Sequence, residues 1–231
     1  SLNTITSSFG ALWRSFLIYF DIKKSEIGVY HGLAGELPFW MHKDVKTIVT
    51  IHDLLFERFP EDYSWIDRKI YSFKAKYACQ KADKIIAVSE ATKTDIIDFY
   101  NIDENKIEVV PVGIDIEKRD CPQSPHSKEY ILCISSFIGR KNQALLVRAF
   151  DKVASEMDCD LIFIGSGSTK EGIESLAAKA KHSERIIFLS NISDNKKFEY
   201  LSHAKFSVYP SKYEGFGIPI LESFAYQVPI V

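Results

Sequence analysis

The sequence predicts an α/β protein of two lobes, each built on a parallel sheet, because three observations coincide. Short apolar runs rich in β-branched residues alternate with stretches of helical period, which is the pattern of βαβ units. That alternation stops once, between residues 111 and 128, and then resumes. The 231 residues suffice for two compact lobes, given about 100 to 200 residues for a usual domain.

In the first lobe, residues 1–115, strands are expected at Ile27 to His31, Lys46 to His52, Lys84 to Val88 and Ile107 to Val110. A helix is expected from Ser64 to Ala82, where Ile66, Ile70, Phe73 and Tyr77 follow at i, i+4, i+7 and i+11 and read as a core stripe. Residues 116–128 read as a linker, rich in Pro and scattered charge. In the second lobe, residues 129–231, strands are expected at Tyr130 to Ser135, Asp160 to Gly165, Arg185 to Ser190 and Lys205 to Tyr209. Helices are expected near 143–156, 170–181 and 194–203. Two such lobes would face each other across a cleft, and open parallel sheets bind ligands beyond the carboxyl ends of their strands.

Composition narrows the class of function. With 46% hydrophobic and 26% charged residues the chain is neither disordered nor fibrous. The formal charge of -2 gives no general attraction to nucleic acid or to an anionic membrane, so an anionic ligand must be held locally. Cys79, Cys121, Cys133 and Cys159 form no CxxC pair, which suggests a reduced, cytoplasmic compartment without zinc, with Cys133 as a buried thiol. The apolar stretch Leu12 to Phe20 is broken by Arg14 and is short of the ~20 residues of a membrane span. It reads as core, or as an amphipathic element in peripheral contact with a membrane's inner face. The chain opens on Ser1 and stops at Pro229-Ile230-Val231, which suggests truncation at both ends.

The segment Glu214-Gly215-Phe216-Gly217-Ile218-Pro219-Ile220-Leu221-Glu222 carries two carboxylates seven residues apart. Gly215 and Gly217 permit a tight turn, and Pro219 suits the first turn of a helix running through Ala225. The unpaired N–H groups and positive dipole of that helix start suit phosphates or sugar oxygens. Glu222, with acceptor oxygens only, suits the paired hydroxyls of a ribose. The plainer reading is a solvated loop glutamate and a dipole-favoured helical one.

The string EGFGIPILESFA resembles the Glu, seven residues, Glu motif of the family-four glycosyltransferases, which have the GT-B fold of two Rossmann-like lobes. The segments VTIHDLLFERFPE, IIAVSEATKTDII, KIEVVPVGID, ISSFIGRKNQALLVRAF and LIFIGSGS resemble family segments in the same order. The resemblance implies retaining transfer of a hexose from a nucleoside-diphosphate sugar to a glycan or lipid-linked acceptor. It implies neither cofactor nor metal. It casts Lys141 as the donor-diphosphate contact with Arg140 beside it, Gly215, Phe216, Gly217 and Ile218 as the donor loop, and Glu222 on the ribose. It casts His52 and Glu214 as the residues meeting the transferred sugar.

Many members carry a further arginine where this chain has Ser136, so Arg140 either replaces it or the contact is lost. Arg140 and Lys141 otherwise simply solvate a helix start. The triplet Asp158-Cys159-Asp160 precedes its strand and reads as a turn, and Gly165-Ser166-Gly167-Ser168 is a weak nucleotide signal. The family's first strand and glycine-rich loop lie upstream of what is present, and Gln227 stands where glycine is common. The alternative functions are therefore a non-catalytic nucleotide-binding fragment needing the missing segments, and an unrelated two-lobed binding protein.

Overall fold

The computed structural model describes residues 10, 13–115, 121 and 123–231. Leu12, and residues 116–120 and 122 of the expected linker, lie outside the described residues. The chain divides into two compact units, Ser1–Val112 and Gly113–Val231.

The first unit holds a parallel sheet in the order β1 (Val29–Gly32), β2 (Lys46–Ile51), β3 (Lys84–Ala87) and β4 (Ile107–Val109). Its helices are α1 (Ile18–Lys24), which follows a π-helical turn at Trp13–Leu17, then α2 (Leu55–Arg58), α3 (Trp65–Lys81) and α4 (Glu90–Tyr100). The hydroxyl oxygens of Ser64 and Ser89 accept from the N–H groups of Asp67 and Thr92 and so start α3 and α4. Asn101, left-handed at φ 51°, ends α4. The guanidinium of Arg58 donates to buried Asp95, with Nε 3.0 Å away, and so clasps α2 to α4.

The expected core stripe on α3 is corrected. Ile66, Ile70 and Phe73 are 64%, 47% and 62% exposed, and Tyr77 is half-buried, donating its hydroxyl to the Phe39 carbonyl at 2.7 Å. The helix instead buries Ala75, Ala78 and Cys79 among Val49, Ile51, Ile85 and Ala87. Small side chains at these positions let the helix lie close to the sheet, which leaves its larger residues facing out. Burial pushes the Cys79 thiol up to about 12, and in the second unit it pushes that of Cys133 up to about 11.

The second unit holds a parallel sheet in the order β7 (Ile186–Leu189), β6 (Asp160–Ile164), β5 (Tyr130–Ile134), β8 (Phe206–Ser207). Its helices are α5 (Gln143–Val153), α6 (Lys170–Ala177), α7 (Asp194–Ser202) and α8 (Ile218–Ala225). Ile131, Cys133, Leu161 and Phe163 pack beneath α5 and α6, whereas Tyr130, Leu132, Ile162 and Ile164 pack against Leu201, Tyr226 and Val228 on the other face. Burial on both faces explains why these strands read as unbroken apolar runs. Asp160 opens β6 and accepts from His126 Nε2 at 2.7 Å, so the second carboxylate of the Asp-x-Asp triplet is spent on structure.

Chain order runs from β5 through β6 to β7 in one direction, and β8 joins the other side of β5. The loops after β5 and β8 therefore part at the point where strand order reverses. Open α/β sheets bind their ligands there.

Candidate functional site

After β5 the backbone passes through Ser135 and Ser136, makes a 3₁₀ turn at Gly139–Lys141, and enters α5 through Asn142, left-handed at φ 57°. The Gln143 side-chain amide pins the loop by donating to Ser135 Oγ at 2.9 Å and to the Ser136 carbonyl at 2.8 Å. The loop after β6 braces it from outside: Phe137 N–H donates to the Ser166 carbonyl at 2.9 Å. A Cβ on Gly167 would lie 2.3 Å from the Phe137 carbonyl oxygen, so this glycine serves the close approach of two loops.

After β8 the backbone stays extended, with Val208 and Tyr209 donating to the carbonyls of Leu132 and Val231 at 2.8 Å each. It then turns through Ser211 and Glu214 and reaches Gly217, left-handed at φ 99°, which precedes α8 with no side-chain cap. Pro219 occupies the first turn, as expected.

These loops bring Arg140, Lys141 and Glu214 together. Glu214 Oε1 accepts from Arg140 Nη1 at 2.9 Å, from Lys141 Nζ at 2.5 Å and from the Ser211 hydroxyl. Lys141 Nζ also donates to the Tyr209 hydroxyl at 2.9 Å and lies 4.9 Å from the centre of that ring. The lysine is only 8% exposed, yet its side chain ends among polar groups. Burial pulls the Lys141 ammonium below the ordinary lysine range, against the opposing pull of Glu214. Burial acts to raise the Glu214 carboxyl, but hydrogen bonds from Lys141 and Ser211 and the charges of Lys141 and Arg140 outweigh it and hold it low. Burial, then the negative charge of Glu214, raises Tyr209.

The other expected residues of this unit lie on the loop and helix that follow Glu214. Gly215 and Gly217 are buried, Phe216 is half-buried and Ile218 is 46% exposed at the start of α8. Glu222, in the middle of α8, has its Oε1 3.0 Å from Lys197 Nζ of α7, with both side chains largely buried. Tyr209, Ser211 and Lys197 were not read from the sequence. Ser211 stands three residues before Glu214 in a turn-forming segment, which is a usable signal; nothing in the sequence pairs Lys197 with Glu222.

His52 belongs to the first unit, immediately after β2. Its Nε2 lies 2.9 Å from the Leu33 carbonyl, and since a carbonyl only accepts, Nε2 carries the proton. His52 lines a cavity of about 470 Å³ together with Arg14, Glu36, Phe56, Tyr63, Tyr71 and Lys74. His31, by contrast, lies within β1 and is taken up by the Thr50 hydroxyl at 2.8 Å. Among the described residues, no group of three or more His, Cys, Asp or Glu is arranged to hold a metal ion. Among them too, no helix is long and apolar enough to cross a membrane.

A buried lysine and an arginine converge on the first glutamate of the motif at the reversal point of a parallel sheet, and the family Glycosyl transferases group 1 matches residues 115–231, just over half the chain. The chain belongs to the group 1 glycosyl transferases. The family Glycosyltransferase Family 4 matches residues 9–118 of the chain. The O-antigen chain mannosyltransferase RfbU of Salmonella typhimurium is 27% identical to it over 183 residues, 79% of this chain and 50% of the relative. The O-antigen chain mannosyltransferase B of Escherichia coli is 29% identical over 219 residues, 88% of this chain and 56% of the relative. The chain thus spans about half the length of the curated relatives it matches. The crystal structure of Anabaena HepE in complex with UDP and glucose shares the fold at a TM-score of 0.62 and 18% identity, over 80% of this chain and 52% of that one.

Proposed function

We propose that the protein to which this chain belongs transfers a hexose from a nucleoside-diphosphate sugar to a hydroxyl of a glycan or lipid-linked acceptor, with retention and without a metal. The observation that carries this reading is the convergence of Arg140 and Lys141 on Glu214 beside the start of α8. Two cations and one carboxylate leave a net positive charge, held by buried and preorganised donors. That is the environment that stabilises the negative charge growing on a departing diphosphate.

In the reaction the bond between the anomeric carbon and the diphosphate oxygen breaks, and that oxygen keeps the electron pair. The acceptor oxygen bonds to the same face of the carbon, and its proton passes to the departing diphosphate. Donor phosphates would take the Lys141 and Arg140 donors now held by Glu214, whose carboxylate then accepts from hydroxyls of the transferred sugar. A carboxylate held low by two cations is a weak nucleophile and a weak base, which favours this positioning role over covalent catalysis. Glu222, held at 3.0 Å by Lys197, accepts from the ribose hydroxyls, and His52 offers its ring to a sugar hydroxyl.

The face of α3 that carries Trp65, Ile66, Ile70 and Phe73, on a helix with five basic residues and one acidic, favours peripheral contact with an anionic bilayer at the cytoplasmic face.

The test of the reaction is release of nucleoside diphosphate from a panel of UDP- and GDP-hexoses in EDTA, with the product anomer read by proton NMR. Release in EDTA with the donor's configuration kept is expected. An inverted product, or release that stops in EDTA and returns with manganese, contradicts the reading.

A further inference from the structure

We propose that Tyr209 is a positioning residue of the donor site, one that keeps the Lys141 ammonium aimed at the donor's diphosphate once Glu214 has turned to the transferred sugar. The inference rests on the transferase reading and deepens it at the same site.

The groups facing the Lys141 ammonium are Arg140 beside it in the same turn, the buried Cys133 thiol of β5, and Tyr209 and Glu214 of the segment after β8. An ammonium has three protons to donate and sits on a flexible four-carbon stem. Glu214 takes one proton at 2.5 Å and the Tyr209 hydroxyl a second at 2.9 Å. In the transferase reading Glu214 releases the cations to the phosphates and accepts from sugar hydroxyls instead. Of the two acceptors Tyr209 then remains. Its ring, 4.9 Å from Nζ, adds the attraction of an aromatic face for a cation.

Tyr209 is built to stay in place. Its N–H donates to the Val231 carbonyl and that of Val208 to the Leu132 carbonyl, each at 2.8 Å, so the backbone is pinned on both sides. The ring is half-buried, and its Cε1 lies 3.9 Å from where a Cβ on Gly217 would stand. One side chain thus touches both the cation and the residue that precedes α8.

The hydroxyl supports the charge of Lys141 as well as its aim. Burial pulls the ammonium down, whereas an accepting oxygen favours the charged form, so losing the hydroxyl lowers the lysine further. The neighbours do not titrate with it: Arg140 stays charged, Glu214 is held low, and burial keeps Cys133 and Tyr209 neutral to higher pH. The ammonium attracts a diphosphate and the neutral amine does not. Affinity is therefore full below the folded lysine value and is lost as pH rises through it.

The experiment is isothermal titration of UDP, GDP, ADP and CDP into the 231-residue chain and its Tyr209→Phe and Tyr209→Leu variants, from neutral pH to the ordinary lysine value of 10.5. Tyr209→Phe keeps the ring and is expected to weaken the nucleotide that wild type binds about fivefold at neutral pH, as loss of one hydrogen bond does. It should also move the alkaline loss of affinity to lower pH, and Tyr209→Leu, which removes the ring too, should do more of both. The nucleotide's own ionisation is common to all three proteins and cancels in the comparison. Equal affinity in wild type and Tyr209→Phe overturns the proposal, as does a weakening uniform across pH, which is what a merely structural role would give. Should Tyr209→Leu fail to fold, Tyr209→Phe decides alone. Either of those outcomes, with a nucleotide still bound by wild type, refutes only the role of Tyr209. A folded wild-type chain that binds none of the four refutes the transferase reading and this proposal with it.

Discussion

Glu214 gathers three donors on one oxygen, so its removal leaves Arg140 and Lys141 buried with like charges and no carboxylate between them. Glu214→Gln should destabilise the chain by about 2 kcal/mol at neutral pH, the size of a lost hydrogen bond to a charged group. The loss has a defined pH dependence. The folded carboxyl lies below its ordinary value of 4.5, so its contribution is complete above that value and fades as pH falls through the lower, folded one. Melting temperatures of wild type and Glu214→Gln should therefore differ at pH 7 and converge in acid; a constant difference would show that the charge is immaterial. That Lys141 and Glu214 follow strands was legible in the sequence, because both stand just after apolar runs in segments that resemble the family's. Ser211, three residues before Glu214, carried only a local turn signal, and the contacts of Tyr209 and Lys197 were hidden because they are made between separate loops and helices.

At the scale of elements, strand runs were legible because strands buried on both faces leave few other readings, and the two sheets lie within a residue or two of the expected runs for most strands. The inward face of α3 was misjudged for a physical reason: the largest apolar residues form a periodic stripe, but close packing on β2 selects alanines. Two substitutions on this helix should behave oppositely. Ala78→Leu should cost about 1–3 kcal/mol by overpacking, whereas Ile70→Ser should stay within about 0.5 kcal/mol, as surface changes do. Urea unfolding measures both, and a large loss for Ile70→Ser would return that residue to the core. Flotation with liposomes containing anionic lipid should weaken in Ile70→Ser relative to wild type, and equal flotation would contradict bilayer contact through this face.

At the scale of the molecule, the alternation of elements announced two parallel sheets, but their strand order was hidden, since crossover direction leaves no mark on local sequence. That order matters most in the second unit, where β8 returns beside β5 and makes the reversal point at which Arg140, Lys141 and Glu214 meet. The central claim is that this point holds the donor's diphosphate. A ligand that binds only the folded state must stabilise it, by about 2.7 kcal/mol at a hundredfold excess over Kd. The most direct measurement is a thermal-shift panel of the chain with UDP, GDP, ADP and CDP, repeated on Lys141→Ala and Glu222→Ala. A shift of a few degrees with one nucleotide that disappears in both variants is the predicted result; no shift from a cooperatively folded sample, or a shift that survives Lys141→Ala, would contradict it.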